Sequence, residues 1–335
     1  MIHRTEPLWQ TPDWQISLAN GFTCVNEFFE YLRLDPELLP AARLAAAQFS
    51  LRVPRDFAAL IEKGNPDDPI LRQVLPLDAE MDKHAGFQRD PVGDLTTETT
   101  PGVLQKYHGR HLLIASGACG INCRYCFRRH YPYGESSAGR DGWRSALASL
   151  RADKEAEEVI LSGGDPLTLS DQRLTSVTQE LNKIPHLKRL RIHSRLPLIV
   201  PERVTPEMLN WLTAGPLKPV LVLHINHPAE ISTKAKEAFL SLRQAGVTLL
   251  NQSVLLRGVN DSVETLATLS GELFECGVLP YYLHLLDRVE GAAHFDMAEE
   301  RAREIHRLLR KRQPGYLVPK LVRETPGERS KTPVW

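Results

Sequence analysis

A chain of 335 residues is long enough for one large α/β domain plus a smaller appendage. Its 41 Lys and Arg against 41 Asp and Glu leave no formal net charge, which excludes the basic excess of a general nucleic-acid binder. With 42% hydrophobic residues the chain affords a substantial core, and no run approaches the ~18 consecutive apolar positions of a membrane span.

The opening residues, MIHRTEPLWQTPDWQ, contain no apolar leader core, so a cytoplasmic location is expected. Up to about residue 103 the chain reads as helices joined by Pro-rich turns. NEFFEYLRL, ELLPAARLAAAQF and PRDFAALIEKG each carry apolar residues at roughly helical spacing, and GNPDDP is a strong breaker. Residues 85–103 lack periodicity and read as a linker lying over the next domain.

Residues 104–290 change character. Short β-rich apolar runs occur at 110–116, 157–164, 187–194, 219–226, 247–256 and 279–287, separated by amphipathic helical stretches. Six such alternations predict a parallel sheet, either doubly wound or a barrel. No GxGxxG comes after the first strand, which disfavours a dinucleotide fold. Polar residues gather where the strands end: Gly163-Gly164-Asp165, His193-Ser194-Arg195, His224 with Asn226 and His227, Asn251-Gln252-Ser253, and His284 with Asp287. Barrels place their chemistry at such ends, although any one of these clusters could equally cap a helix or make a turn. Residues 291–335 read as a basic helix, Arg301–Arg312, and an irregular tail. A solvated face explains that helix better than a docking surface does.

The cysteines carry the most specific signal. Three of five fall within eight residues, Cys119-Gly-Ile-Asn-Cys123-Arg-Tyr-Cys126, an arrangement unlike a disulfide framework and typical of metal ligation. Four thiolates would saturate a cubane iron–sulfur cluster, whereas three leave one iron open. The alternative is a zinc site completed by a residue such as His130.

CxxxCxxC with an aromatic residue before the last cysteine resembles the signature of the radical S-adenosylmethionine superfamily. The resemblance implies a 4Fe–4S cluster on Cys119, Cys123 and Cys126 whose open iron chelates S-adenosyl-L-methionine, and whose one-electron reduction releases a deoxyadenosyl radical. SGGDPL resembles the superfamily element that contacts the methionine amine, implicating Gly163, Gly164 and Asp165. CRYCFRRHYPY, RIHSRLP, HINHPAEI, LLNQSVLLRGVND, PYYLHLLDRVEGAAHF and GYLVPK together resemble the lysine 2,3-aminomutases, most closely their short bacterial branch.

That family implies an α/β fold with an incomplete parallel (β/α)6 barrel and a helical N-terminal region. It also implies pyridoxal 5′-phosphate held as a Schiff base by Lys331, with Tyr107 and Arg110 at the same cofactor. Arg128 matches the residue that binds the substrate carboxylate. Asp287 and Glu324 match the acidic pair that takes the distal ammonium of L-lysine, Glu324 standing where the family usually has Asp. His224, Asn226, Gln252 and Ser253 match positions lining the cofactor cavity. The implied reaction is a 2,3-migration of the amino group to give β-lysine, in the (R) form for modification of elongation factor P. Implied partners are L-lysine, an external flavodoxin- or ferredoxin-type electron donor, elongation factor P with its lysyl ligase, and a second copy in a homodimer. The zinc-bearing extension of the longer enzymes has no counterpart here. Open alternatives are an aminomutase for glutamate or arginine, and an iron–sulfur or zinc protein without catalysis. Asp287 with Glu324 favours lysine over glutamate.

Overall fold

The computed structural model describes residues 11–335 apart from 140 and 142; residues 1–10, which carry most of the leader reading, lie outside the described residues. Near the N-terminus are helices α1 (Asp13–Ala19), α2 (Val25–Leu32) and α3 (Leu39–Gln48). In α2 the buried residues are Val25, Phe28, Phe29 and Leu32, spaced to form one apolar stripe. Its end is set by Arg33, which adopts the left-handed conformation at φ 56°.

Ten strands form one sheet in sequential order: β1 (Glu98–Thr100), β2 (Val103–Tyr107), β3 (Arg110–Ser116), β4 (Glu158–Gly163), β5 (Arg189–Ser194), β6 (Lys218–Leu223), β7 (Thr248–Val254), β8 (Leu279–His284), β9 (Lys320–Arg323) and β10 (Thr332–Pro333). From β3 to β9 every neighbouring pair is parallel, and the outer pairings β1–β2, β2–β3 and β9–β10 are antiparallel. The crossovers are α4 (Arg144–Ala152), α5 (Asp171–Leu181), α6 (Pro206–Thr213), α7 (Thr233–Gln244) and α8 (Val263–Glu275), while α9 (Glu299–Arg312) precedes β9. Ser170, Thr205, Ser232 and Ser262 cap the N-termini of α5, α6, α7 and α8 with a side-chain oxygen each.

All six expected parallel strands are present, and β9 adds a seventh within the tail that read as irregular. The stretch read as a linker contains β1, so the sheet begins earlier than periodicity suggested.

Strand register sorts the side chains into two faces. Leu113, Leu161, Ile192, Leu221, Leu223 and Leu249 are buried in the main core, which extends among the helices. Burying one such side chain contributes about 1.5–3 kcal/mol. On the other face, pairing sets Ile114 beside Ser162, His193 beside Val222, Gln252 beside Tyr282 and Val254 beside His284. Across a flat sheet, β2 and β9 would lie roughly 30 Å apart at the usual strand spacing. Yet Tyr107 Oη, ending β2, donates to Glu324 Oε1, just past β9, at 2.6 Å. The sheet is therefore rolled until its margins meet, with the polar face inside. Among the described residues no helix is long and apolar enough to cross a membrane.

Candidate active site

The loop after β3 carries the cysteines, and the N-terminal region grips it. Asn122 and Arg124 donate backbone N–H groups to the Arg52 and Gln73 carbonyls at 3.0 and 2.9 Å. Fully buried Arg124 gives Nε and Nη2 to the two oxygens of Glu80 at 2.8 and 2.6 Å, and Nη1 to the Phe49 carbonyl at 2.7 Å. Arg129 also donates to Glu80, at 2.7 Å. Two guanidinium groups on one buried carboxylate satisfy a charge that would otherwise be expensive inside the protein. The helical N-terminal region thus clamps the cysteine loop, which the sequence did not foretell.

Cys119, Cys123 and Cys126 are free thiols near enough to influence one another. Burial raises the Cys119 thiol well above its ordinary value, with Cys126, Asp165 and Cys123 pushing the same way. Burial and Cys123 raise Cys126 to about 11. The thiolate is the ligating form, and a bound metal would deprotonate these groups outright and relieve their mutual repulsion. Among the described residues no group of three His, Cys, Asp or Glu side chains is arranged around a single metal ion, the three cysteines included. His130 instead faces the Glu290 carbonyl at 3.2 Å. The donor set fits a cluster whose irons each take one thiolate.

The glycines and aspartate ending β4 hold neighbouring segments close. A Cβ on Gly163, whose φ is +119°, would lie 2.6 Å from the Ser116 carbonyl oxygen, and one on Gly164 would lie 2.4 Å from that of Ala118. Their close approach is to the cysteine loop itself. Buried Asp165 accepts from Ser194 Oγ at 2.8 Å, from the backbone N–H of Leu167 at 3.0 Å, and from those of Arg195 and Leu196 at 2.9 and 3.1 Å. Its carboxylate fastens β4 to β5.

Of the strand-end residues assigned to the cavity, only two face it. His224 Nε2 lies 3.1 Å from Gln252 Nε2, and both belong to the inner face. Asn226 instead bonds Gln73 Oε1 and accepts from the Val254 N–H, while Ser253 donates to the Ile225 carbonyl. These two staple β6 to β7 behind the inner face. Along β7, Ser253 sits on the opposite parity to Gln252, whereas Asn226 lies past the end of β6 and is placed by its own hydrogen bonds. His193 and His284 do reach it, each with a buried Nε2 that has no hydrogen-bond partner among the described residues. Burial holds His224 neutral, down to about 3, and the charges of Arg195, Arg128 and Lys331 add to the effect.

Lower in the interior lie the residues assigned to substrate and pyridoxal phosphate. Arg128 is buried, donating Nε to Asp94 Oδ2 at 2.6 Å and Nη1 to Ser162 Oγ at 3.2 Å. Lys106 Nζ lies 2.6 Å from the other Asp94 oxygen. Burial opposes ionisation of Asp94, but Arg128 and Lys106 prevail and hold it below the usual carboxylate range. Lys331 Nζ donates to Glu324 Oε2 at 2.7 Å, so Lys331, Glu324 and Tyr107 form one chain. Glu324 is held low in the same way: burial opposes, and the charge and hydrogen bond of Lys331 outweigh it. Arg110 packs over the Tyr107 ring, 5.2 Å from its centroid. Arg110 and Arg191 both act on Tyr282, so this end of the interior gathers cations. Asp287 differs from the others, because no donor among the described residues reaches its carboxylate. Burial lifts it to about 7, Lys331 pulling it down and Glu324 pushing it up.

Thus Arg128, Asp287, Glu324, Lys331, Tyr107, His224 and Gln252 share one interior. Asp94, Lys106 and Glu80 were missed, since each acts through partners far away in the chain, and His193 and Arg195 were noted only as strand-end residues without a role.

The chain is 50% identical over 323 residues to L-lysine 2,3-aminomutase of Escherichia coli (strain K12), covering 96% of this chain and 94% of that protein. It is 46% identical over 320 residues to L-lysine 2,3-aminomutase of Haemophilus influenzae, covering 96% and 95%. Against L-lysine 2,3-aminomutase of Clostridium subterminale the identity is 35% over 324 residues, covering 96% of this chain but 77% of the longer protein. No family model matches the chain.

Proposed function

Because the chain belongs to the L-lysine 2,3-aminomutase family, we infer that it converts L-lysine to β-lysine, an isomerisation that moves the amino group from C2 to C3. The observation that carries the choice of lysine is that the acidic pair, Asp287 and Glu324, shares the interior with Arg128. Arg128 already has two of its nitrogens fixed by Asp94 and Ser162, so the guanidinium is pre-oriented to take a carboxylate. Asp287, without a donor of its own, gains its missing partner when an ammonium arrives. A glutamate substrate would bring a second carboxylate to that acidic pair, where like charges repel.

Three bound groups fit the remaining residues: a 4Fe–4S cluster on Cys119, Cys123 and Cys126, S-adenosyl-L-methionine beside Gly163 and Gly164, and pyridoxal 5′-phosphate on Lys331 near Tyr107 and Arg110. Together they supply a carbon-centred radical and an electron sink for the migrating amine. The orphaned ring nitrogens of His193 and His284 support a polar ligand in the interior. On this reading the rolled sheet is the incomplete barrel of the radical S-adenosylmethionine enzymes. The chain's own part is to orient. Arg128 sets the carboxylate, Asp287 and Glu324 set the distal ammonium, and the neutral histidines keep the centre polar without adding charge. The rolled sheet would enclose the reacting centre and keep side reactions from it.

Transfer of the product to elongation factor P belongs to the same reading and rests on the likeness to the short bacterial enzymes. Anaerobic incubation with L-lysine, S-adenosylmethionine and dithionite, followed by chiral chromatography, tests the reaction. β-Lysine is expected, and its absence from iron-loaded, pyridoxal-loaded protein would overturn the assignment.

A further inference from the structure

One buried side chain contacts the cysteine loop and has no part in the chemistry above. Arg195, just past β5, donates Nη1–H to Cys123 Sγ at 2.8 Å and to Tyr125 Oη at 3.1 Å. Its Nη2 donates to Gln73 Oε1 at 2.9 Å and to Glu230 Oε2 at 2.7 Å. The guanidinium lies between the rings of Phe57 and Tyr125, 5.5 and 6.0 Å from their centroids. Fully buried Glu230 is itself held by Gln73 Nε2 and by the backbone N–H groups of Asn226 and His227 at 2.8–3.0 Å. A cation is thus locked against one thiolate ligand, and an anion is locked behind it.

We propose that Arg195 is a positioning residue that sets the reduction potential of the cluster through Cys123, with Glu230 as its counterweight. The inference rests on the reading of the cysteine loop as a cluster site. The step concerned is a one-electron transfer from a low-potential external donor to the oxidised cluster. No bond is made or broken at Arg195, and the cluster's charge becomes one unit more negative. Hydrogen bonds and positive charge at a cluster sulfur favour that more negative state and raise the potential. Glu230 tempers the effect by drawing on the same guanidinium. Lysine could not replace this arrangement, because a single ammonium lacks the planar fork that reaches Cys123 and Glu230 together.

The two charges predict shifts of opposite sign, which general structural damage would not produce. The test uses full-length protein reconstituted anaerobically with iron and sulfide, titrated with dithionite, and read by electron paramagnetic resonance of the reduced cluster. Iron content and absorbance near 400 nm are matched among samples. Arg195→Gln should move the midpoint to more negative potential, by about tenfold in the oxidised-to-reduced ratio, about 59 mV for one electron. Arg195→Lys should fall between that variant and wild type, and Glu230→Gln should move the midpoint positive. Should Arg195→Gln fail to hold its cluster, Glu230→Gln alone decides by the sign of its shift. Unchanged midpoints, or shifts of one sign in both variants, overturn the proposal. Wild-type protein that assembles no cluster overturns the cysteine-loop reading instead.

Discussion

Asp287 is a carboxyl group poised for a cation that the fold itself does not provide, and Asp287→Asn tests that directly. Burial lifts its pKa from 3.8 to about 7. Because the folded value is raised, the folded state binds the proton more tightly than the unfolded chain does. The resulting penalty is absent below about pH 4, grows up to about pH 7, and is complete above it. Three pKa units at about 1.4 kcal/mol each set a ceiling near 4 kcal/mol, which partial exposure of the side chain brings to about 2 kcal/mol. Cofactor-free Asp287→Asn should therefore be more stable than wild type at pH 8, with the gap shrinking as the pH falls toward 4. Urea unfolding at pH 5 and pH 8 measures it.

The same substitution should cost function. With cofactors loaded but no reductant there is no turnover, so calorimetry reads L-lysine binding alone. Wild-type affinity should rise about tenfold between pH 6 and pH 8 as Asp287 ionises. Asp287→Asn should bind at least ~100-fold more weakly and lose that pH dependence, since an unpaired buried charge costs about 3–5 kcal/mol. A variant less stable than wild type at pH 8, or one that still binds lysine with the same pH profile, would refute the reasoning.

The geometry leads to three further outcomes. Lys331→Ala should lose the pyridoxal phosphate chromophore on gel filtration while retaining the iron–sulfur absorbance, because the two sites share no residue. Arg128→Met should lower kcat/KM for lysine at least ~100-fold, and chemical denaturation should show a loss of about 3 kcal/mol, because Asp94 keeps only Lys106. Gly164→Ala should lower the melting temperature and the iron content together, since its Cβ would press on the Ala118 carbonyl beside Cys119.

The six central strands are legible in the sequence because each is a short apolar run between amphipathic helices. The remaining strands were hidden for physical reasons. β1 and β10 are three and two residues long, too short for periodicity. β9 has only four residues inside a polar tail. The interior residues were found by resemblance, and their companions were not. Arg128 needs Asp94, 34 residues away, and Arg195 needs Gln73, 122 residues away. Partners so distant in sequence leave no local pattern. The different placing of Gln252 and Ser253 has another origin. A polar residue at a strand end looks the same whether it faces a ligand or staples a neighbouring strand, and only the two-residue period of an established register separates Gln252 from Ser253.

The charges around the interior bear on the substrate once more. Lys106, Arg128 and Lys331 lie among Asp94, Glu324 and Asp287. The pairing is uneven, since Asp94 takes Arg128 and Lys106, Glu324 holds Lys331 with Lys106 3.7 Å away, and no cation among the described residues pairs with Asp287. Lys331 is itself a lysine side chain, and its ammonium sits on the carboxylate assigned to the substrate's ammonium. The fold therefore already shows that Glu324 can accept this cation at hydrogen-bond distance. Once its amine is committed to pyridoxal phosphate, Lys331 no longer neutralises Glu324 as it does in the free chain. Glu324 and Asp287 then face one another with a deficit that a single ammonium on a flexible four-carbon stem would fill. A substrate with a second carboxylate would deepen the deficit instead. Hence loading of the cofactor should strengthen L-lysine binding in the unreduced protein, and Lys331→Ala should bind L-lysine without pyridoxal phosphate more tightly than wild type does. Equal affinities in calorimetry would show that Lys331 and the substrate do not compete for Glu324.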